Sequence, residues 1–233
     1  MDSGVRLTDV TLRIGDFVIL DRQSFFVPPG SCLVITGENG VGKSTVLYLA
    51  AGLVRPTRGT VTLDGHRPDL LDPGALFRAG VRRGFVFQQG GLISNLSVLA
   101  NVALALRFHA DVLGLDEAGA LARARSALTQ VGVLDEADIQ ALPAHLSFGE
   151  RKRAAMARAL ALDPSFVFFD DPDAGLDGAS EALVHDLLIR YRDDPKVTMV
   201  VATNHLALLQ RLGLSPVELT GGHLVEGVAR SVA

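Results

Sequence analysis

The sequence predicts an α/β fold: a mostly parallel sheet with a helical lobe inserted into it. Three observations predict it. Short, continuous apolar runs at residues 32–35, 85–87, 166–169 and 197–202 have the composition of strands covered on both faces. Stretches of helical character at 44–51 and 180–191 alternate with them, which implies right-handed βαβ units. Between about residues 96 and 162 the texture changes to apolar residues at three-to-four spacing.

The elements follow in order. Val10, Leu12 and Ile14 alternate as in a half-exposed strand. Pro28-Pro29-Gly30 is a turn, and the run 32–35 is the first buried strand. A glycine-rich loop leads into the helix at 44–51, which Gly52 and Pro56 close. Residues 59–65 form a short strand ending in an Asp64-Gly65 turn, and 85–87 form another buried strand. Asp116 is placed to cap a helix whose stripe runs through Leu121, Ala124 or the stem of Arg125, Leu128 and Val131. A second helix covers 149–162. The strand at 166–169, the helix at 180–191 and the strand at 197–202 complete the pattern.

The 233 residues suit one domain, and 48% hydrophobic with 21% charged residues is a globular mixture. The net charge of −4 lacks the basic footprint of a nucleic-acid binder. A single cysteine, Cys32, suits a reducing compartment. No run of 18 apolar residues occurs, and residues 98–106 are interrupted by Asn101. Met1 to Gly4 show no charged-then-apolar leader pattern. The expectation is a soluble chain that reaches a membrane only through partners.

The most specific signal is Gly37-Glu38-Asn39-Gly40-Val41-Gly42-Lys43-Ser44-Thr45, which satisfies G-x-x-x-x-G-K-[ST] between a strand and a helix. Glycines let backbone N–H groups wrap a phosphate, and the helix N-terminus adds its positive dipole end. Lys43 would reach the β- and γ-phosphates, and Ser44 would ligate Mg²⁺. The fold class sharpens accordingly to a P-loop NTPase. The run 166–169 ends in Asp170-Asp171-Pro172, so two carboxylates stand at a strand's C-terminal edge, where open α/β sheets bind ligands. Asp170 fits the Mg²⁺-side acid. Asp171 fits the group that orients or deprotonates the attacking water.

With these residues in place, the sequence resembles the ATP-binding subunit of ABC transporters over about residues 7–226. Leu146-Ser147-Phe148-Gly149-Glu150 is similar to that family's signature motif, usually LSGGQ. Gln88 matches the Q-loop, Ala174-Gly175-Leu176-Asp177 the D-loop, and Thr203-Asn204-His205 the switch-histidine region. The resemblance implies a small antiparallel β subdomain within residues 1–91, which join 163–233 as the catalytic core, and a helical subdomain over about 92–162. It implies a head-to-tail dimer, a homodimer or a paired ATPase subunit, with each ATP held between one phosphate loop and the other subunit's Ser147 and Gly149. Gln88 would join the γ-phosphate and Mg²⁺ to the helical lobe, and that lobe would dock on transmembrane permease subunits. The location implied is cytoplasmic, peripheral on the inner face of the membrane.

Four departures modify that expectation. The family usually has Glu where this chain has Asp171, which is shorter by about one C–C bond, so slow hydrolysis is expected. Ungapped counting puts Asn204 in the histidine place and His205 one later; His205 is favoured as the residue that exchanges protons, with Asn204 the alternative. Phe148 and Glu150 replace Gly and Gln in the signature, and Glu150 would weaken ATP sandwiching. The adenine-stacking aromatic falls at Ile14; Phe17 is near enough to stack instead, or belongs to the core. Residues 89–109 are similar to ATPases of bacterial lipid-trafficking systems paired with MCE-domain proteins, which suggests a periplasmic or MCE-type component. The competing reading is a degenerate nucleotide sensor with little turnover. Translation and DNA-repair relatives fit 233 residues poorly, because they carry two cassettes or long coiled-coil insertions. The six histidines show no metal-ligand spacing, and the runs Arg82-Arg83 and Arg151-Lys152-Arg153 read as solvated faces or membrane-partner contacts.

Overall fold

A computed structural model describes residues 3–133 and 135–226. In chain order the strands are β1 Val5–Ile14, β2 Phe17–Val27, β3 Cys32–Thr36, β4 Arg58–Leu63, β5 Arg83–Val86, β6 Phe166–Asp170, β7 Thr198–Ala202, β8 Val217–Thr220 and β9 His223–Glu226. The helices are α1 Lys43–Ala50, α2 Pro73–Arg78, α3 Val98–Phe108, α4 Ala110–Leu113, α5 Glu117–Gln130, α6 Glu136–Gln140, α7 Phe148–Leu160, α8 Gly178–Arg192 and α9 Leu206–Leu212.

Six strands form the central sheet in the order β5-β6-β7-β3-β8-β9, parallel except for the antiparallel β8–β9 pair. Three more form a separate antiparallel sheet, β2-β1-β4. Every residue of β6 and β7 is buried, as their unbroken apolar runs require. Their side chains alternate between two cores. Phe166, Phe168, Val200 and Ala202 pack with α1 and the antiparallel sheet. Val167, Phe169, Met199 and Val201 pack with the helical lobe. The alternation places the C-terminal ends of β3, β6 and β7 along one edge, with a cover on each side.

The lobe runs from α3 to α7 between β5 and β6. Its helices start where polar caps permit: Ser97 accepts from Ala100 N and Asp116 from Gly119 N. Asn101 is fully buried. Its amide bonds both backbone groups of Ile93 and also the carbonyls of Leu96 and Ser97, so the loop before α3 is bolted to the helix. The polar interruption of an apolar run is therefore a structural fastener. Arg158 of α7 donates to the carbonyls of Gly90 and Gly91, which ties the segment just after Gln88 to the same lobe.

Candidate functional site

The phosphate loop forms because glycines occupy positions that side chains could not. Gly37 has φ 145, and a Cβ there would lie 2.5 Å from the carbonyl oxygen of Leu219. Gly42 has φ 108, caps α1, and abuts Ile19 of β2. Lys43 is buried, and its ammonium folds back over the loop onto the carbonyls of Gly37 (2.9 Å) and Glu38 (3.1 Å). Asn39 and Gly40 are exposed at the tip, and Thr45 follows in the first turn of α1. The N-terminus of α1 thus carries a cation, freely oriented N–H groups and no acidic residue in its first turn.

Ser44 Oγ donates to Asp170 Oδ1 at 2.8 Å, and Tyr48 donates to Asp170 Oδ2 at 3.1 Å. Asp170 is 1% exposed. Burial, then the Asp170 charge and hydrogen bond, push the Tyr48 hydroxyl up to about 12. The next residue, Asp171, has φ 40, a left-handed conformation that few side chains tolerate, Asn and Asp among them. Its N–H donates to Ala202 O (2.9 Å), and its carbonyl accepts from the buried Lys152 ammonium (2.5 Å). The residue is clamped on both sides. Desolvation, then the neighbouring Asp170 charge, hold its carboxyl above the usual carboxylate range. A raised pKa makes a stronger base.

Asn204 and His205 diverge. Asn204 bonds the phosphate loop three times: Oδ1 accepts from Gly37 N, and Nδ2 donates to Gly37 O (2.7 Å) and Asn39 Oδ1. His205 Nδ1 instead lies 2.6 Å from Asp173 Oδ2. The Asp173 hydrogen bond raises the imidazole above its ordinary value. Gln88 is exposed in the turn after β5. Phe17 is 76% exposed and Ile14 51%, so neither belongs to the core. Phe17 precedes Ile19 by two on β2 and so shares the strand face that meets Gly42.

Ser147 caps α7 in a capping box. Its hydroxyl lies 2.6 Å from Glu150 Oε2, which also accepts from Ser147 N at 2.8 Å. Those bonds hold the Glu150 carboxyl below its usual range. Gly149 packs against Ser180, where a Cβ would meet Oγ at 2.5 Å. Phe148 is 41% exposed and rests on Gly175 of the D-loop.

The sequence model described as ABC transporter matches residues 20–174. The chain belongs to the ABC transporter family. Among its relatives, the methionine import ATP-binding protein MetN of Rhodopseudomonas palustris is 34% identical over 97% of this chain and 59% of its own length. The sulfate/thiosulfate import ATP-binding protein CysA of Mycobacterium tuberculosis is 36% identical over 89% of this chain and 56% of its own. The intermembrane phospholipid transport system ATP-binding protein MlaF of Haemophilus influenzae is 32% identical over 86% and 74%. This chain therefore spans little more than half the length of the methionine and sulfate relatives. The dimeric post-hydrolysis structure of the ATP-binding cassette MJ0796, bound to ADP and Pi, superposes with a TM-score of 0.83 at 31% identity, covering 94% of this chain and 96% of that one.

Within this ABC fold, the phosphate loop, Ser44, Asp170, Asp171 and Asn204 share one sheet edge, whereas His205 turns toward Asp173. Three contributors escape a reading by motif. Tyr48 supports Asp170 one helical turn beyond Ser44. Lys152 and Arg153 lie within a charge run expected to be solvated, yet are 2% and 9% exposed. Lys152 reaches the Asp171 carbonyl, and Arg153 donates to Ser180 Oγ at 2.7 Å. The signal available was the unbroken small and apolar run Ala154 to Ala157 that follows them: a full helical turn without a polar residue marks a helix buried on all sides. The third is a cluster of histidines and acids around Asp173, invisible as spacing because its members come from separate segments.

Proposed function

We propose that this chain is the ATP-binding and hydrolysing subunit of an ABC transporter, working as a head-to-tail dimer under membrane permease subunits. The observation that carries the reading is the convergence of a buried Lys43 ammonium, the Ser44–Asp170 pair and the clamped Asp171 on one phosphate loop. The structure of MJ0796 with ADP and Pi supports a nucleotide there. ATP phosphates would lie against the loop N–H groups and Lys43. Asn39, Gly40 and Thr45 line the same cradle, and Asn204 holds it in shape. The exposed Phe17 offers a face for adenine.

The Ser44 hydroxyl and Asp170 carboxylate form an all-oxygen donor pair, the chemistry Mg²⁺ selects. When bound, Mg²⁺ would supply positive charge that offsets the charge developing on the phosphate. Ser44 and Gln88 would complete its shell with Asp170. Asp171 accepts the proton of a water aligned on the γ-phosphate, and its raised pKa favours that transfer. Ser147 and Gly149 of a second copy close the site from outside. No helix among the described residues is long and apolar enough to cross a membrane. Permease docking falls to the lobe, where Ile93, Leu104, Phe108 and Leu142 are exposed. In this reading the chain sits on the cytoplasmic side of that membrane. The cargo assigned to this reading is lipid, supported by residues 89–109 and the phospholipid-transport relative; an MCE-type component would then co-purify.

The Ser147–Glu150 capping box favours a second reading, a nucleotide sensor with little turnover, because it occupies the hydroxyl meant for phosphate. Phosphate release from Mg-ATP, abolished in Lys43→Ala, supports the hydrolase. Nucleotide binding with no phosphate release above that variant, even with permease present, supports the sensor.

A further inference from the structure

Behind the catalytic strand end, four ligand-type side chains converge. Asp173 lies in the loop after β6, Glu181 and His185 lie one turn apart on α8, and His205 precedes α9. Asp173 Oδ2 is 2.7 Å from His185 Nε2 and 2.6 Å from His205 Nδ1. Glu181 Oε1 stands 3.9 Å from the first ring nitrogen and 4.0 Å from the second. One ligand atom from each residue lies within 4.8 Å of all the others. The Asp173 side chain is 1% exposed, and its second oxygen, Oδ1, is buried with no hydrogen-bond partner. Such an acceptor is costly to bury unbonded; the buried Lys152 ammonium offsets part of the Asp173 charge, and a cation held on Oδ2 would offset more of it.

We propose that Asp173, Glu181, His185 and His205 form a binding site for a divalent transition metal, with Zn²⁺ as the best match. Two imidazole nitrogens with carboxylate oxygens suit zinc, whereas Mg²⁺ and Ca²⁺ select all-oxygen shells. The geometry is within reach. Tetrahedral ligands at ~2.0 Å from a metal lie about 3.3 Å from one another. The two Asp–His contacts would open by roughly 0.7 Å, the two Glu181–His contacts close by as much, and the remaining two pairs, now within 4.8 Å, close by up to about 1.5 Å. The His205 side chain is 46% exposed and leaves an entry path. On binding, the N–H that each imidazole now presents to Asp173 gives way to a lone pair, and its proton passes to the other ring nitrogen or to solvent. The bound ion joins the loop after Asp171, the start of α8 and the residue after Asn204. It would brace the catalytic aspartate against the phosphate loop. This site stands apart from the nucleotide reading and holds or fails without it.

The experiment titrates the chelator-stripped full chain with Zn²⁺ against a chromophoric zinc indicator, then with Co²⁺ for the absorption bands of a tetrahedral site, with Mg²⁺ as control. The expected result is one Zn²⁺ per chain, tetrahedral Co²⁺ bands and no competition from Mg²⁺. Glu181→Gln and His205→Ala, both on accessible side chains, each remove one of four ligands and should weaken zinc by more than the roughly 100-fold that loss of an outer-shell partner can cost. The Glu181→Gln/His205→Ala double variant should abolish binding while keeping the wild-type far-UV spectrum. Absence of stoichiometric zinc binding in the wild type, or binding that survives the double variant, overturns the proposal.

Discussion

Asp171→Glu lengthens the acid proposed to activate water by one C–C bond, and the structure sets the size of its effect. The backbone of Asp171 cannot advance, because its N–H is fixed to Ala202 and its carbonyl to Lys152. Only the side chain can shorten the gap to a water on the γ-phosphate. One extra C–C bond adds about 1.5 Å of reach. A misplacement of ~1 Å costs on the order of 100-fold, or about 2.7 kcal/mol of barrier. Turnover should therefore rise by roughly 10- to 100-fold. KM for ATP should hardly change, since Lys43 and the loop make the ground-state contacts. The substitution has a cost: φ 40 suits Asp better than Glu, so stability should fall by ~1 kcal/mol, or about 2–4 °C in Tm. Phosphate release is measured at saturating Mg-ATP and normalised to the folded fraction. A fall in turnover in a folded Asp171→Glu protein refutes the reasoning, because the site would then already be shaped around the shorter acid.

Three further outcomes follow from the same geometry. Glu150→Gln keeps the capping box but removes the anion that holds the Ser147 hydroxyl, so ATP-dependent dimerisation should tighten by roughly 10-fold with Tm within ~2 °C of wild type; analytical ultracentrifugation reads both species. Asn204→Ala strips three hydrogen bonds from Gly37 and Asn39 and should weaken ATP by about 10- to 100-fold in calorimetry, more than His205→Ala does, because His205 does not face the loop. Burial pushes the Cys32 thiol up to about 12, against a weaker opposing pull from Arg192. At pH 8 only about one thiol in ten thousand is then ionised. Alkylation of the native chain should be at least ~1,000-fold slower than in denaturant, and its rate should climb with pH past 9 without levelling.

Much of this was legible in the sequence, for identifiable reasons. The phosphate loop and its two acids are contiguous strings whose chemistry depends on local backbone, so Lys43, Ser44, Asp170 and Asp171 could be placed before any fold was known. The buried strands β6 and β7 announced themselves because burial on both faces leaves polar residues only at their ends, Asp170 and Thr198. β2 was silent: it exposes Phe17, Val18 and Phe26, so its apolar residues do not alternate with its burial. α3 looked like an apolar run broken by Asn101, because the partners that justify a buried amide lie in the preceding loop. Counting pointed to Asn204 and imidazole chemistry to His205, and the side chain that meets the phosphate loop is that of Asn204. Both neighbours fall at the end of β7, and only the direction of each side chain separates the phosphate loop from Asp173. Lys152 looked solvated because a charge run conceals which of its members turns inward.

The measurement that bears most directly on the central claim is the mass of Asp171→Asn in solution with saturating Mg-ATP. With the base removed, the loop around Lys43 should hold uncleaved triphosphate, and two copies should close on it as a stable dimer. Removing nucleotide, or adding Lys43→Ala, should return the chain to a monomer. An Asp171→Asn chain that binds ATP in calorimetry yet stays monomeric at high micromolar concentration would contradict the head-to-tail account.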